Sequence, residues 1–380
     1  MNIAFVLPHD SANWLSTGVS EEYYVSRSPA FEHRYAKIFT RNGHHVTVLY
    51  LSSSRSGISR AQHDFGHSVI RIPVKGLRYL RQFTGALQAV RIPELMNSDI
   101  IHFYNYYSRF CNVAIPLLRA LGKKVVAQAQ TSMNTYDLFL DMKTMITVKS
   151  ACMLLPVNRT EQLRLLNRYK VPPHKIRIIH NGVDVKFFRP MNKNDCKRKI
   201  KVEGPHILFV GRHIYEKGAD VAVKTFLRLV KNIPNLTLTM IGEGNMKPYC
   251  QDLAKGHNVR FLGFVENELL PTYYNSADVL MVPSRLETGN LIVPIEASAC
   301  GVPIVGSNAE GVIASVEDNV NGLVVNPSDV DFYQAVKRIL SDEKLSLRIA
   351  ETGRQFAEKT FSTDRVYSDL IDAYSTVINQ

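Results

Sequence analysis

The sequence has few cysteines, a single tryptophan and no long apolar run. None of its apolar segments approaches the roughly 18–20 residues that cross a bilayer, so we expect no transmembrane helix. The first residues, MNIAFVLPHD, contain no basic side chain and predict a buried strand rather than a signal peptide. The five cysteines are scattered and form no C-x-x-C pair. This argues against a disulfide framework and a zinc site, and it favours a reducing cytosol.

Acidic residues are scarce in the first half of the 380-residue chain. Residues 1–190 contain 25 Lys and Arg but 11 Asp and Glu, whereas the remaining residues contain 21 and 23. The formal net charge of +12 is therefore +14 in the first half and −2 in the second. Such an asymmetry favours an anionic partner, either a membrane surface, nucleic acid or a phosphorylated substrate, or it serves solubility alone. No nucleic-acid-binding motif accompanies it, so we expect no nucleic-acid partner.

Short apolar runs alternate with longer amphipathic segments from end to end. Many of the runs are too uniformly apolar to be half-exposed, so they predict parallel strands covered by helices on both faces. The pattern indicates an α/β chain with two doubly wound layers. The predicted strands are 2–8, 46–50, 68–72, 99–104, 124–128, 152–156, 175–179, 205–210, 236–241, 258–262, 278–282, 302–305 and 322–325.

The segment 184–203 is polar and charged and coincides with the change in charge, so it is the best linker candidate. We therefore expect two domains, residues 1–187 and 188–361. Residues 362–378 carry apolar side chains at helical spacing and predict a terminal helix with a buried face. The first strand is followed by a loop of about 20 residues that contains Gly18, and a loop this long is more often functional than idle.

The segment 211–218, GRHIYEKG, directly follows a predicted strand of the second half. Ligands of doubly wound folds bind beyond the carboxyl ends of the strands. Gly211 lets the backbone approach a ligand, and Arg212 and Lys217 supply the paired positive charges that suit a pyrophosphate. The alternative is an ordinary strand–helix turn with a solvated lysine.

A second glycine-containing turn, Gly242-Glu243-Gly244, follows strand 236–241. It does not complete the dinucleotide fingerprint G-x-G-x-x-G, because Lys247 occupies the sixth position. A lone G-x-G after a strand is weak evidence for ligand binding, so the pattern taken alone favours a tight turn without a ligand.

The segment 281–306, MVPSRLETGNLIVPIEASACGVPIVG, joins the end of a strand to a helix through a loop. The helix start near residues 289–291 would present N–H groups to an anion. Glu287 and Glu296 are carboxylates suited to binding sugar or ribose hydroxyls, unless both are ordinary surface acids.

Taken in order, these segments resemble the retaining nucleotide-sugar glycosyltransferases of family 4. Residues 180–190, HNGVDVKFFRP, resemble the N-G-V-D-x-x-x-F-x-P that leaves the first domain of that family. Residues 211–218 resemble its phosphate-binding G-R-x-x-x-x-K-G, and residues 283–305 resemble its E-x7-E region followed by G-V-P-I-V. The helix that begins at Phe361-Ser362 resembles the family's terminal segment.

The resemblance implies the GT-B fold, with two Rossmann-like domains facing across a cleft. Residues 1–187 would bind the acceptor, and residues 188–361 would bind the donor. The C-terminal helix, within 362–380, would cross back to the first domain.

The resemblance also implies roles for individual residues. Arg212, Lys217 and Glu287 would be catalytic, with the two cations stabilising the leaving diphosphate. The family works without a metal or cofactor, which is physically sensible because an arginine, a lysine and a helix dipole can replace a divalent cation. The implied donor-binding residues are Gly211, Glu243, Thr288, Gly289, Asn290, Leu291, Ile292 and Glu296, the last at the ribose hydroxyls.

Three departures from the family pattern affect the sugar and the acceptor. Glu287 and Glu296 are nine residues apart rather than eight, so the loop carries an insertion or Thr288 takes the glutamate position. The histidine expected after strand 124–128 is replaced by Gln128-Ala129-Gln130-Thr131. The Gly-rich loop expected after the first strand is replaced by the long loop around Gly18.

These departures leave three candidates for contact with the acceptor or the donor sugar. Gln130 can hydrogen-bond a sugar but cannot take up a proton at neutral pH. His102, at the end of strand 99–104, is a second candidate unless it is a core histidine. Gly18 is the third.

The segment 75–91, KGLRYLRQFTGALQAVR, interleaves basic and apolar side chains as an interfacial helix does. A solvated amphipathic helix packed on the core is the alternative. We expect a cytoplasmic protein bound peripherally at the inner face of the membrane. The candidates for contact with an anionic surface are Lys75, Arg78, Arg81 and Arg91.

Together these features predict a retaining, metal-independent glycosyltransferase. It would move a hexose or hexosamine from a nucleoside-diphosphate sugar, UDP rather than GDP, to a membrane-associated lipid-linked acceptor or a polysaccharide of the cell envelope. One alternative is a donor-binding partner subunit with little activity of its own. Another is an NAD-dependent dehydrogenase, against which the missing third glycine and the lack of a catalytic His/acid pair both argue.

Overall fold

The computed structural model describes residues 1–11, 20–27, 30–74, 78–129, 138–287, 289 and 291–380. The chain divides into two compact units, Met1–Ile179 with Val366–Gln380, and His180–Arg365. Residues 180–187, predicted for the end of the first domain, belong to the second unit. Each unit is built around one sheet.

The first unit contains a seven-stranded sheet in the order β3-β4-β2-β1-β5-β6-β7. All neighbouring strands are parallel except β3, which is antiparallel to β4. The strands are β1 (Asn2–Asp10), β2 (His45–Ser52), β3 (Ser59–Gln62), β4 (Ser68–Pro73), β5 (Ile100–Tyr104), β6 (Val125–Ala129) and β7 (Met153–Pro156).

Helices cover this sheet on both faces. Along β1 the side chains alternate, with Ala4 and Val6 in one buried cluster and Ile3 and Phe5 in another, as a strand buried on both faces requires. Within Met1–Ile179, the described helices are α1 (Glu21–Ser26), α2 (Phe31–Arg41), α3 (Arg78–Ala89), α4 (Pro93–Met96), α5 (Arg109–Ala120), α6 (Leu138–Ser150) and α7 (Arg159–Asn167), with a 3-10 turn at Pro173–Lys175.

The second unit contains a six-stranded parallel sheet in the order β10-β9-β8-β11-β12-β13. The strand order reverses between β8 and β11, and such switch points are where doubly wound sheets bind ligands. The strands are β8 (His206–Val210), β9 (Thr237–Ile241), β10 (Val259–Gly263), β11 (Val279–Val282), β12 (Ile304–Ser307) and β13 (Gly322–Val325).

The second sheet is also covered on both faces, since Ile207 and Phe209 pack in one cluster and Leu208 in the other. Its helices are α8 (Lys193–Ile200), α9 (Ala219–Leu229), α10 (Lys247–Leu253), α11 (Leu270–Ser276), α12 (Ile292–Ala299), α13 (Glu310–Ile313), α14 (Asp329–Ser341) and α15 (Glu343–Phe356). A 3-10 turn at Tyr215–Lys217 precedes α9, and a π-helical turn at Ala357–Phe361 follows α15.

The last helix, α16 (Thr363–Ile378), begins in the second unit and belongs to the first from Val366 onward. Its buried face, which includes Leu370 and Tyr374, joins the core cluster that contains Ile3 and Phe5. The predicted crossing of the terminal helix to the first unit is therefore confirmed.

Most of the predicted strands are confirmed to within one or two residues, but one is wrong and one was missed. Residues 175–179 form no named strand. Lys175 ends a 3-10 turn, and the residues after it are hydrogen-bonded to β7 from Arg177 and Ile179, with an isolated bridge between Ile176 and Leu154. The missed strand is β3, a short polar segment at the sheet edge.

Two further observations concern the cysteines and the prediction that no helix crosses a membrane. All five cysteines are buried free thiols. Within the described residues, every helix is too short or too polar to cross a membrane.

Candidate functional site

The loops that leave β8 and β11 meet at the switch point of the second sheet. Lys217, in the 3-10 turn after β8, is ion-paired with Glu287, in the loop after β11. Their side chains are 20% and 14% exposed, so the pair is mostly shielded from solvent. The structure therefore brings together a cation and a carboxylate that the sequence places 70 residues apart.

A glycine holds the two loops in contact. Gly218 has a φ of +69°, and a Cβ on it would lie 2.0 Å from the carbonyl oxygen of Pro283, at the end of β11. Any larger residue would need both a left-handed backbone and displacement of the β11 loop. Gly218 is also the N-cap residue directly before α9, so it fixes the position of the neighbouring Lys217 relative to β11.

A mostly shielded charge pair joins the loop after β11 to helix α9. Arg285, two residues after Pro283, donates to both carboxylate oxygens of Asp220 on α9, at 2.8 and 2.9 Å. It also donates to the carbonyl of Tyr215 at 2.8 Å and lies 4.1 Å over the Tyr215 ring. Burial alone would raise the pKa of Asp220, but the hydrogen bonds from Arg285 and Lys224 outweigh it and hold the pKa below its usual value.

The Glu287 loop is supported from the β12 side as well. The amide of Gly311 donates to the carbonyl of Glu287 at 2.8 Å, and a Cβ at Gly311 would lie 2.4 Å from the carbonyl oxygen of Gly289. The amide of Leu291 donates to the hydroxyl of Ser315 at 2.9 Å, so this N–H of the predicted anion site already has a partner. Ile292 is the first residue of α12, and none of the described side chains caps that helix.

Glu296 lies on α12 and is buried, with 5% of its surface exposed. Its Oε2 accepts a hydrogen bond from the hydroxyl of Tyr274 at 2.8 Å. Burial and the adjacent Glu296 charge raise the pKa of Tyr274 well above its usual value, which keeps the phenol a donor. Tyr274 therefore fixes the orientation of the Glu296 carboxylate.

Arg212 and Glu243 follow the carboxyl ends of β8 and β9. The Arg212 side chain is exposed, and among the described residues none forms an ion pair with it. Glu243 is ion-paired with Lys247 at 2.7 Å. The ring of His213, the residue after Arg212, is buried. Burial lowers the pKa of His213 to about 4, so the ring is neutral at pH 7.

Two family models match most of the chain. The model described as Glycosyltransferase Family 4 matches residues 33–187, and the model described as Glycosyl transferases group 1 matches residues 191–356. The chain belongs to the family 4 glycosyltransferases. This membership leaves the dehydrogenase alternative without support.

Individual relatives and solved structures agree with the fold of this glycosyltransferase. An uncharacterized glycosyltransferase of Methanocaldococcus jannaschii is 24% identical over 364 residues, which cover 89% of this chain and 91% of that protein. The structure of sucrose-phosphate synthase from Thermosynechococcus elongatus is similar at a TM-score of 0.81, with 20% identity over 100% of both chains. Anabaena HepE in complex with UDP is similar at a TM-score of 0.76, with 16% identity over 99% of this chain and 100% of that one. The glycosyltransferase therefore has the GT-B fold.

Of the acceptor candidates in the first unit, the structure describes His102. His102 is fully buried in β5, where its Nδ1 lies 2.6 Å from the Tyr374 hydroxyl of α16 and its ring stacks on Tyr104. Burial lowers the pKa of His102 to about 3. The structure thus supports the core alternative for this histidine rather than contact with a sugar.

The remaining predicted residues lie near the limits of the described part of the chain or beyond them. Arg91 is exposed just after α3. The side chains of Arg78 and Arg81 lie outside the described part of the chain, although both residues belong to α3. Gly18, Lys75, Gln130, Thr288 and Asn290 lie outside the described residues altogether.

Sequence reasoning missed the groups that support the site. Arg285 and Asp220 were not singled out, although an arginine three residues after a predicted strand and an aspartate in the helix after residues 211–218 were visible in the sequence. Tyr274 gave no signal at all, because its contact with Glu296 joins α11 to α12. These residues position the site residues and are not themselves proposed to contact a ligand.

Proposed function

We propose that this glycosyltransferase moves a hexose or hexosamine from a nucleoside-diphosphate sugar, with retention of configuration, to a lipid-linked or polysaccharide acceptor. The observation that carries the proposal is the Lys217–Glu287 pair at the switch point of the second sheet. A cation that can hold a phosphate and a carboxylate that can hold a hydroxyl are the two groups that a sugar diphosphate needs.

The leaving diphosphate is proposed to bind between Arg212 and Lys217. Arg212 is exposed and lies six residues from Gly218, beside the end of β8. When the donor binds, a phosphate oxygen replaces Glu287 at the Lys217 ammonium. Glu287 is then available to accept hydrogen bonds from the hydroxyls of the donor sugar.

Two cations beside the leaving group are also the basis for proposing a reaction without a metal. Charge develops on the diphosphate as the glycosidic bond to the sugar breaks, and fixed positive groups stabilise that charge. The acceptor hydroxyl would attack from the side of the departing phosphate, whose oxygen would take up the acceptor proton. No protein carboxylate is then required as a nucleophile.

The nucleoside is proposed to lie near Glu296, whose carboxylate would accept hydrogen bonds from the ribose hydroxyls. Tyr274 holds that carboxylate in one orientation. We favour a uridine donor because the similar Anabaena structure contains UDP.

The first unit is proposed to bind the acceptor at the cytoplasmic face of a membrane. Its basic composition supports an anionic surface as partner. Phe83 and Leu87 lie one turn apart on α3 and are 47% and 37% exposed, whereas Ala86 and Ala89 of the same helix are buried in the core. Helix α3 therefore presents an exposed apolar strip, and its sequence also contains Arg78 and Arg81, a combination that is typical of membrane-surface helices.

The deciding experiment is thermal stabilisation with UDP, GDP, ADP and NAD, followed by a transfer assay. UDP should raise the melting temperature, because a ligand that binds only the folded state stabilises it. The rise should be lost in Lys217→Ala and Arg212→Ala, which should each lower transfer at least tenfold with little change in the melting temperature without ligand. Normal transfer in either variant would refute the diphosphate assignment.

Two further measurements test the retaining reaction and the partner-subunit alternative. Retention predicts that the anomeric configuration of the transferred sugar equals that of the donor, which NMR of the product measures. UDP binding without transfer, with transfer restored by a second protein, would support a donor-binding partner subunit instead.

A further inference from the structure

Three buried histidines form a cluster in the first unit. His33, His63 and His67 are each at most 2% exposed, and one ring nitrogen of each lies within 4.8 Å of the others. His33 lies on α2, while His63 directly follows β3 and His67 directly precedes β4. A helix and the turn of a hairpin therefore converge on one point.

The rings are arranged face to face. The ring centroids of His33 and His63 are 4.1 Å apart, and those of His63 and His67 are 4.5 Å apart. Nδ1 of His33 lies 2.8 Å from Nε2 of His67. Imidazoles packed this closely cannot all be charged, and burial lowers the pKa of His33 to about 2 and that of His67 to about 3. A neutral imidazole has one ring nitrogen with a lone pair and one N–H, and a bound metal would replace the hydrogen bond between Nδ1 of His33 and Nε2 of His67.

Hydrogen bonding behind His33 directs its lone pair into the cluster. The Tyr50 hydroxyl donates to Oε1 of Glu32 at 2.7 Å, so its oxygen accepts the Nε2–H of His33 at 3.0 Å. The lone pair of His33 is then on Nδ1, which faces His67. Metal-binding histidines usually donate their other ring N–H to a hydrogen-bond acceptor, which fixes the tautomer and the ring orientation, and the Tyr50 oxygen is such an acceptor here.

The carboxylate at the end of this chain lacks a counter-charge. Glu32 is 1% exposed and accepts from the hydroxyls of Tyr24 and Tyr50, but no described cation forms an ion pair with it. Its Oε2 is buried without a hydrogen-bond partner among the described residues. A buried carboxylate is costly unless a positive charge lies nearby, and a cation within the histidine cluster would supply one.

We propose that His33, His63 and His67 bind one divalent transition-metal ion of the zinc class. Neutral imidazoles suit zinc, copper and nickel, and three of them satisfy most of a tetrahedral zinc shell. Bonds of about 2.0–2.1 Å to zinc separate two ligand nitrogens by about 3.3 Å, so Nδ1 of His33 and Nε2 of His67, 2.8 Å apart, need to separate by about half an ångström. The His63 ring, which stacks on the other two, has to turn so that its lone pair points at the ion. The Phe65 amide donates to Nδ1 of His63 at 3.1 Å, and a metal bound through that nitrogen would replace this bond. The ion would tie α2 to the β3–β4 hairpin.

This site differs from the expectation of no metal. That expectation rested on the cysteines and on the donor diphosphate, and neither bears on this cluster. The spacing His63-x3-His67 was visible in the sequence, but the third histidine lies 30 residues before His63. Only the packing of α2 against the hairpin brings it near.

The test is a titration of the full, chelator-treated chain with Co²⁺ and then Zn²⁺. We expect one Co²⁺ per chain, with visible absorption that one equivalent of Zn²⁺ removes, and a rise in melting temperature with Zn²⁺. His67→Gln should weaken Co²⁺ binding at least about 100-fold, because it removes one of three ligands. His45→Gln changes an exposed histidine of the same unit and should leave binding unchanged.

A second variant guards against misfolding of His67→Gln. His67→Cys should keep Co²⁺ binding and add a sulfur-to-cobalt charge-transfer band, which only a ligand at that position produces. The proposal is overturned if the original chain binds no stoichiometric Co²⁺ or Zn²⁺, or if binding persists in His67→Gln with equal affinity. Donor binding and sugar transfer do not enter these readouts, so the result is independent of the proposed reaction.

Discussion

The ammonium of Lys217 is ion-paired with the carboxylate of Glu287 across the two loops that meet at the switch point of the second sheet. In the proposed reaction these residues have different partners, the diphosphate for Lys217 and the sugar for Glu287. Donor binding must therefore break the Lys217–Glu287 ion pair and give each residue a new partner. It keeps both charges compensated until the diphosphate arrives.

Glu287→Gln should separate donor binding from transfer. Removing the competing carboxylate should tighten UDP binding about fivefold, because a partly shielded ion pair is worth about 1 kcal/mol. Transfer should nevertheless fall at least tenfold, since the glutamine does not hold the sugar hydroxyls as a carboxylate does. Calorimetric titration with UDP and a transfer assay measure the two effects.

Glu216→Gln is the matched control for this variant. Glu216 lies in the same 3-10 turn as Lys217, but its side chain is exposed. Both UDP affinity and transfer should stay unchanged. An unaltered UDP affinity in Glu287→Gln would show that the ion pair does not oppose binding of the diphosphate.

Arg285→Ala should destabilise the second unit by about 2–3 kcal/mol, because it leaves the buried carboxylate of Asp220 without its bidentate partner. Arg228→Ala breaks the ion pair between Arg228 and Asp329, whose side chains are 49% and 28% exposed, respectively. It should lower the free energy of unfolding by at most about 1 kcal/mol. Urea unfolding of the two variants provides the comparison. Equal losses would mean that the Arg285–Asp220 pair is no more than a surface contact.

Most of the fold was predictable because strands buried on both faces have a clear sequence signal, whereas an edge strand does not. Strands buried on both faces, such as β5 and β8, are continuous apolar runs whose length and spacing are visible in the sequence. The edge strand β3 consists of Ser-Arg-Ala-Gln, and one solvated face leaves it without an apolar run. Residues 175–179 carry the apolar signal, but they pair with β7 too irregularly to form a strand.

The candidate site was predictable residue by residue but not as an arrangement. Lys217 and Glu287 stood out because each charge follows an apolar strand. Their contact depends on β8 lying next to β11, and the order of strands within a sheet has no local signal in the sequence. His102 shows the opposite case, since its position at a strand end suggested a ligand contact, whereas packing of α16 buries it.

His102 predicts a pH dependence of stability. Its folded pKa of about 3 lies below the usual value of 6.5, so between these two pH values the unfolded chain binds a proton that the folded chain does not. Stability is therefore fully present above pH 6.5 and falls as the pH drops towards 3. The contribution of one such group between pH 6.5 and pH 5 is about 2 kcal/mol.

His102→Gln should reduce this loss, because glutamine stays neutral throughout. We expect a smaller difference in unfolding free energy between pH 7 and pH 5 than in the original chain, whatever the stability at pH 7. His174→Gln, at an exposed position, should leave the difference unchanged. An identical pH dependence in His102→Gln would contradict the burial of a neutral imidazole at this position.

Membrane binding through α3 predicts two separable effects on vesicles that contain anionic lipid. Replacing Arg78 and Arg81 with glutamine should weaken binding at least about tenfold at low salt and much less at high salt, since each basic side chain near the surface contributes about 1 kcal/mol. Replacing Phe83 and Leu87 with serine should weaken binding to a similar extent at both salt concentrations, because insertion of apolar side chains is not screened.

Leu347→Ser is the control for the apolar pair, since Leu347 is 62% exposed on α15 of the second unit. Vesicle co-sedimentation at the two salt concentrations should leave this variant unaffected. If binding persisted in the Phe83/Leu87 variant and disappeared with salt in every chain, the basic charge of the first half alone would hold the protein at the surface. If binding were equal in all variants, the strip on α3 would be an exposed part of the fold without contact to lipid, and the charge asymmetry would need another anionic partner.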